Sequence, residues 1–172
     1  MKNAPRPEAH PLAADLGARL LRAGCRVATV ESCTGGGIAQ TITAIAGSSD
    51  WFECGFVTYS NAAKTDLVGV PGDLIRRHGA VSAQVAAAMA EGGLCHSRAD
   101  YCMAVTGVAG PGGGTARTPV GTVYFAWAGR DRETTTRRVD FDGDRAAVRE
   151  QTVARALAGL LDFLPARPPD KT

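Results

Sequence analysis

Residues 25–47 read CRVATVESCTGGGIAQTITAIAG, and the segment changes character in its middle. CRVATVE (25–31) is short, apolar and β-branched, as a buried strand is. GIAQTITAIAG (37–47) has the composition and length of a helix that stops at a glycine. Between them stand Ser32, Cys33 and Thr34, then Gly35 and Gly36. A strand that runs through a tight glycine turn into a helix is the opening of a β-α-β crossover unit.

Working outward, leucines 12, 16, 20 and 21 fall mostly on one side of a helix over 11–23, which Gly24 ends. WFECGFVTYS (51–60) reads as a second strand, and Ser60 or Asn61 caps a short helix, NAAKTDLVG. Pro71 opens another short helix, which ends at His78-Gly79. Ser82 caps a longer one over 83–97, whose last turns Gly92 and Gly93 weaken. ADYCMAVTG (99–107) is a strand that leads into a second glycine-rich stretch, VAGPGGGTARTP. PVGTVYFAWAG (119–129) and ETTTRRVDF (133–141) form a hairpin, and Asp144 caps a last helix that stops at Pro165. The order α-β-α-β-α-α-α-β-β-β-α predicts a three-layer α/β/α domain with a central mixed β-sheet. The expected organisation is a flexible N-terminal arm (1–10), a single domain (11–164) and a flexible tail (165–172).

At 172 residues the chain has room for one well-buried core. An apolar content of 45% with 21% charged residues fits a soluble globular protein. No apolar run approaches the roughly 20 residues that span a bilayer, and MKNAPRPEAH lacks the apolar core of a signal peptide, so a cytoplasmic protein is expected. A net charge of +2 gives no reason to expect nucleic acid as a partner, and the arginines around 130–138 are interspersed with acids, as on a charge-protected strand edge. That exposed hairpin also offers an edge for a homo-oligomer. Five cysteines without CxxC spacing, and no HExxH, speak for reduced thiols and no metal.

Two loops attract chemistry, ESCTGGG and TGVAGPGGGT, because sheets of this class bind ligands at the carboxyl ends of their strands. Neither holds a GxxxxGK[ST], GxGxxG or GxSxG pattern. A helix start near Gly36 would offer unpaired amides to a ligand's oxygens. Ser32 is a candidate nucleophile, although N-capping is a serine's ordinary role there. Cys33 is the other candidate, and the alternative for it is a thiol buried beneath the turn. His10, His78 and His96 read as surface or structural residues, which leaves Lys64, just after Tyr59, as a candidate base. Keeping a lysine neutral near pH 7 takes about 4–5 kcal/mol of desolvation or like-charge repulsion. The ordinary alternatives are an exposed helix lysine and a sheet-edge tyrosine.

VESCTGGGIAQTITAIAGSSDWFECGFVTYSNAAKTDLVGV, GAVSAQV, AVTGVAGPGGGT, PVGTVYFA and FDGDRAAVR together resemble the CinA C-terminal domain family, in order over about 12–162. The resemblance implies an amidohydrolase that converts nicotinamide mononucleotide (NMN) to nicotinate mononucleotide and ammonia, with no cofactor. It implies Ser32 as nucleophile in preference to Cys33, Lys64 as base and Tyr59 as its aid. On this reading the amides of Thr34, Gly35 and Gly36 meet the oxyanion. Gly107, Ala109 and Gly110 with Arg145 hold the substrate phosphate, unless Arg145 pairs with Asp142 or Asp144. The rival expectations are a nucleotide-binding regulatory module linked to competence or DNA damage, and a hydrolase of another small amide or lactam.

Overall fold

A computed structural model describes residues 9–166. The first helix, α1 (Ala9–Ala23), starts inside the stretch expected to be an arm, and the rest of that arm and most of the expected tail lie outside the described residues. Then follow β1 (Val27–Glu31), α2 (Gly37–Thr43), a 3-10 turn (Ser48–Asp50) and β2 (Phe52–Val57). Three helices come next, α3 (Asn61–Val68), α4 (Gly72–His78) and α5 (Ala83–Cys95). The chain closes with β3 (Tyr101–Gly107), β4 (Thr122–Gly129), β5 (Arg132–Asp140) and α6 (Arg145–Phe163).

The sheet order is β2-β1-β3-β4-β5. β1 pairs in parallel with β2 and β3, whereas β3-β4 and β4-β5 are antiparallel. The mixed three-layer architecture is therefore the one the element order predicted. Boundaries differ where local bonds intervene. Cys25 donates its amide to Leu20 O, so β1 begins two residues later than its composition suggests. The second helix stops earlier than expected, at an Ala44 cap, and residues 44–47 turn into the 3-10 segment.

Alternation along the strands divides the core between two faces. Met103, Val105, Phe125 and Trp127 pack with Leu16, Leu20, Ile38 and Leu160 on the side of α1, α2 and α6. Ala28, Cys102, Ala104, Ala126 and Ala128 line the other face, against α5. Small residues there let α5 lie close to the sheet. A Cβ on Gly92 would strike the Val68 carbonyl of α3, and one on Gly93 would sit 2.5 Å from Cys102 Sγ. These two glycines do not weaken the end of α5; the helix continues to Cys95, and their missing side chains seat it against α3 and β3.

Because β1, β2 and β3 run in the same direction, Glu31 stands level with Val57 and Val105. The segments that follow all three strands emerge at one edge of the sheet. There the candidate residues meet.

Candidate active site

Ser32 follows β1 directly. Its amide donates to Val105 O of β3 at 3.1 Å, and its carbonyl accepts from the Gly35 amide at 3.1 Å. Gly35 and Gly36 both have positive φ, 59° and 99°, which lets the chain reverse into α2 within a few residues. Ser32 opens onto a cavity of ≈ 310 Å³ whose walls include Lys64, Tyr59, Asn61, Arg145 and the Gly107–Gly113 stretch.

Lys64 comes from α3, whose start is fixed by Ser60 Oγ accepting from the Ala63 amide at 3.0 Å. The side chain is 1% exposed, although it carries a terminal amine. Its Nζ lies 3.2 Å from Ser32 Oγ, 2.8 Å from Thr58 O and 3.5 Å from Tyr59 O. None of the ion pairs among the described residues involves Lys64. Burial lowers its pKa from the ordinary value, opposed by the nearby Cys33 thiol. With no carboxylate partner among the described residues, the buried amine sheds its proton more readily than an exposed lysine does.

Cys33 takes the buried alternative. It packs in the core on the α1–α2–α6 side, and burial pushes its thiol up to about 11, with its own backbone amide opposing and the Glu31 charge adding. A thiol in that state is no nucleophile at neutral pH.

The glycine turn corrects the expectation for its amides. Glu31, 1% exposed, turns its carboxylate into the start of α2. It accepts from the amides of Gly36, Ile38 and Ala39 at 2.9–3.1 Å and from Thr34 Oγ1 at 2.6 Å. The Gly35 amide is already taken by Ser32 O. Thr34, Gly35 and Gly36 thus do not line the Ser32 cavity, and the helix start that was expected to receive a ligand is filled by the protein's own acid. Thr34 instead borders a separate groove of ≈ 720 Å³ between α2 and α6, and its carbonyl accepts from Arg149 at 2.9 Å.

On the opposite wall, Arg145 donates to Gly110 O at 2.8 Å and to the Tyr59 hydroxyl at 3.3 Å. It makes no ion pair with Asp142 or Asp144; Asp144 is occupied in capping the Ala147 amide at 2.9 Å. Tyr59 was expected to aid Lys64 through its phenol. The phenol faces Arg145, and only the backbone carbonyl of Tyr59 meets the lysine. Gly107 and Gly110 line the cavity, as does Ala109, whose methyl also packs into the core. Sequence reasoning missed Asn61 on the wall and the Thr58 carbonyl under Lys64. Asn61 had been weighed only as a helix cap, and a carbonyl carries no residue-type signal.

The three histidines stay outside the cavity: His10 borders the α2–α6 groove, His78 ends α4, and His96, the residue after α5, bonds Gly92 O. Among the described residues there is no cluster of three His, Cys, Asp or Glu suited to a metal ion, and no helix is long and apolar enough to cross a membrane. The cavity brings a hydroxyl and an amine together beside a guanidinium that bonds a carbonyl and a phenol.

The CinA C-terminal domain family matches residues 9–164. The chain is 55% identical over 152 residues to nicotinamide-nucleotide amidohydrolase PncC of Pseudomonas putida, covering 88% of this chain and 94% of that protein. It is 52% identical over 149 residues to the protein of the same name from Escherichia coli K12, covering 87% and 90%. The crystal structure of competence/damage inducible protein CihA from Agrobacterium tumefaciens matches with a TM-score of 0.89 at 43% identity, over 95% of this chain and 99% of that one. With a match that runs through every element of the fold, the chain belongs to the CinA C-terminal domain family.

Proposed function

We propose that the protein is a nicotinamide-nucleotide amidohydrolase, which hydrolyses the carboxamide of NMN with Ser32 as nucleophile and Lys64 as base. The observation that carries this reading is the 3.2 Å approach of a buried amine to a serine hydroxyl. The named activity of relatives above 50% identity supports the substrate.

Hydrogen-bond accounting sets the direction of the proton. A neutral amine has two N–H donors and one lone pair. Two of its three neighbours, Thr58 O and Tyr59 O, are carbonyls and can only accept. Once the amine is neutral, Ser32 is the one neighbour able to donate, and its O–H turns toward the lone pair. Ser32 Oγ then attacks the carboxamide carbon as its proton passes to Nζ. The ammonium formed is held by the same two carbonyls. It returns the proton to the departing nitrogen, which leaves as ammonia, and an ester remains on Ser32. Lys64 next takes a proton from the attacking water, the ester bond to Ser32 breaks as Nζ returns that proton to Oγ, and nicotinate mononucleotide is released.

The Gly35 and Gly36 amides are already bonded, so the developing oxyanion needs other donors. Cys33, the residue after the nucleophile, borders the cavity, and its amide is the natural first donor. Arg145 has only neutral partners, a carbonyl and a phenol, and is the cation we assign to the substrate phosphate. The catalytic unit is the single domain from 11 to 164, acting in the cytoplasm where its nucleotide is held.

Ammonia release from NMN, compared with nicotinamide riboside and nicotinamide, tests the reading. Release that is fastest from NMN is expected; binding of NMN without release would favour a regulatory module instead. Arg145→Met should raise KM for NMN about 10–100-fold with kcat little changed, the loss of one charge-assisted contact. Tyr59→Phe should raise KM by about 2–10-fold at most, through Arg145. A fall in kcat at constant KM for Tyr59→Phe would instead make its phenol a proton carrier.

A further inference from the structure

Glu31 is the one buried carboxylate among the described residues, and the mechanism above does not use it. Oε1 accepts from Thr29 Oγ1 at 3.3 Å and from the Ala39 amide at 2.9 Å. Oε2 accepts from Thr34 Oγ1 at 2.6 Å and from the amides of Gly36 and Ile38 at 3.1 and 3.0 Å. Both oxygens are saturated by donors from the strand before the turn, the turn itself and the helix after it. The side chain therefore closes the turn into a ring around Ser32.

The backbone of the same residue reaches the base. Glu31 O accepts from the Thr58 amide at 2.8 Å, and Thr58 O accepts from Lys64 Nζ at 2.8 Å. Glu31 is thus bonded covalently to the nucleophile's residue and through one residue, Thr58, to the amine. A displacement of Glu31 moves Ser32 and the carbonyl beneath Lys64 together.

We propose that Glu31 is a positioning residue for the Ser32–Lys64 pair: its buried, fully bonded carboxylate fixes the distance across which the proton passes. This rests on Ser32 being the nucleophile. The substrate is never touched by Glu31, so the effect should fall on reactivity rather than on binding.

The test measures how fast a fluorophosphonate modifies Ser32, read by peptide mass mapping, beside steady-state kinetics on NMN. The proteins are the full-length wild type, Glu31→Gln and Thr34→Val, each checked for folding by circular dichroism. Glu31→Gln preserves size but presents an amide group to a set of donors. Its labelling rate and kcat should both fall about 10–100-fold, with KM within about two-fold of wild type. Thr34→Val, which removes the shortest of the five bonds, should show the same pattern at about three-fold. It decides the matter if Glu31→Gln does not fold. Wild-type rates of labelling in the folded variants, or a change confined to KM, would overturn the proposal while leaving the amidase reading intact. Failure of the wild type both to label at Ser32 and to release ammonia would overturn the amidase reading and this proposal with it.

Discussion

Ser32→Ala should lower ammonia release from NMN by about 10⁴-fold while the protein stays folded and still binds the nucleotide. The substitution takes away one oxygen, the atom that lies 3.2 Å from Lys64 Nζ. No neighbour can replace it. Cys33 is adjacent in sequence, but its thiol is buried in the core and pushed up to about 11. Thr34 Oγ1 is committed to Glu31 at 2.6 Å and does not border the cavity. Stability should change little, because Ser32 is held through its backbone by Val105 and Gly35 and those bonds remain. A coupled ammonia assay, with intact mass to look for an acylated form, measures both parts. Release at the wild-type rate would remove Ser32 from the mechanism.

Lys64→Met should lose about 10²–10⁴-fold in kcat yet melt at the same temperature as wild type or higher. Methionine fills much of the space of the lysine stem without a group that must be desolvated. The amine it replaces is 1% exposed and has no carboxylate partner among the described residues. The pH dependence follows from the direction of its shift. Burial holds the folded pKa below the ordinary 10.5, so between the two values the unfolded chain binds more protons and stability rises with pH. Below the folded pKa the cost of burying the ammonium is present in full, and above 10.5 it vanishes. Lys64→Met should flatten that rise. In the wild type, kcat/KM should climb with pH as the amine loses its proton, with a midpoint below 10.5. Lys64→Arg, which keeps a charge that cannot be shed, should be as inactive as the methionine variant and less stable. Calorimetry across pH, together with pH–rate profiles, checks all of this.

The fold was legible because strand and helix periods alternate cleanly and because the hairpin at 119–141 is antiparallel by its length. Strand order was not, since it depends on which crossovers land beside which strands. At the site, the meeting of Ser32 and Lys64 came from family resemblance; two residues 32 apart have no spacing rule to join them. The turn was misread for a physical reason. Glycines before a helix suggest free amides, and nothing in their own composition says that a neighbour has already claimed them. The sign was one residue upstream. Every position of β1 is buried, and an acid on such a strand must find donors inside the protein. Tracing where Glu31 could find them leads to Thr34, Gly36, Ile38 and Ala39. The same reasoning would have turned the oxyanion away from that helix start.

The burial of Lys64 has a practical side. Lys2, Lys64 and Lys171 are the chain's only lysines, and every other basic side chain apart from the three histidines is an arginine. Lys64, 1% exposed, is out of reach of an acylating dye. Amine-reactive labelling should therefore spare the side chain that serves as base, and peptide mass mapping at Lys64 would read this directly.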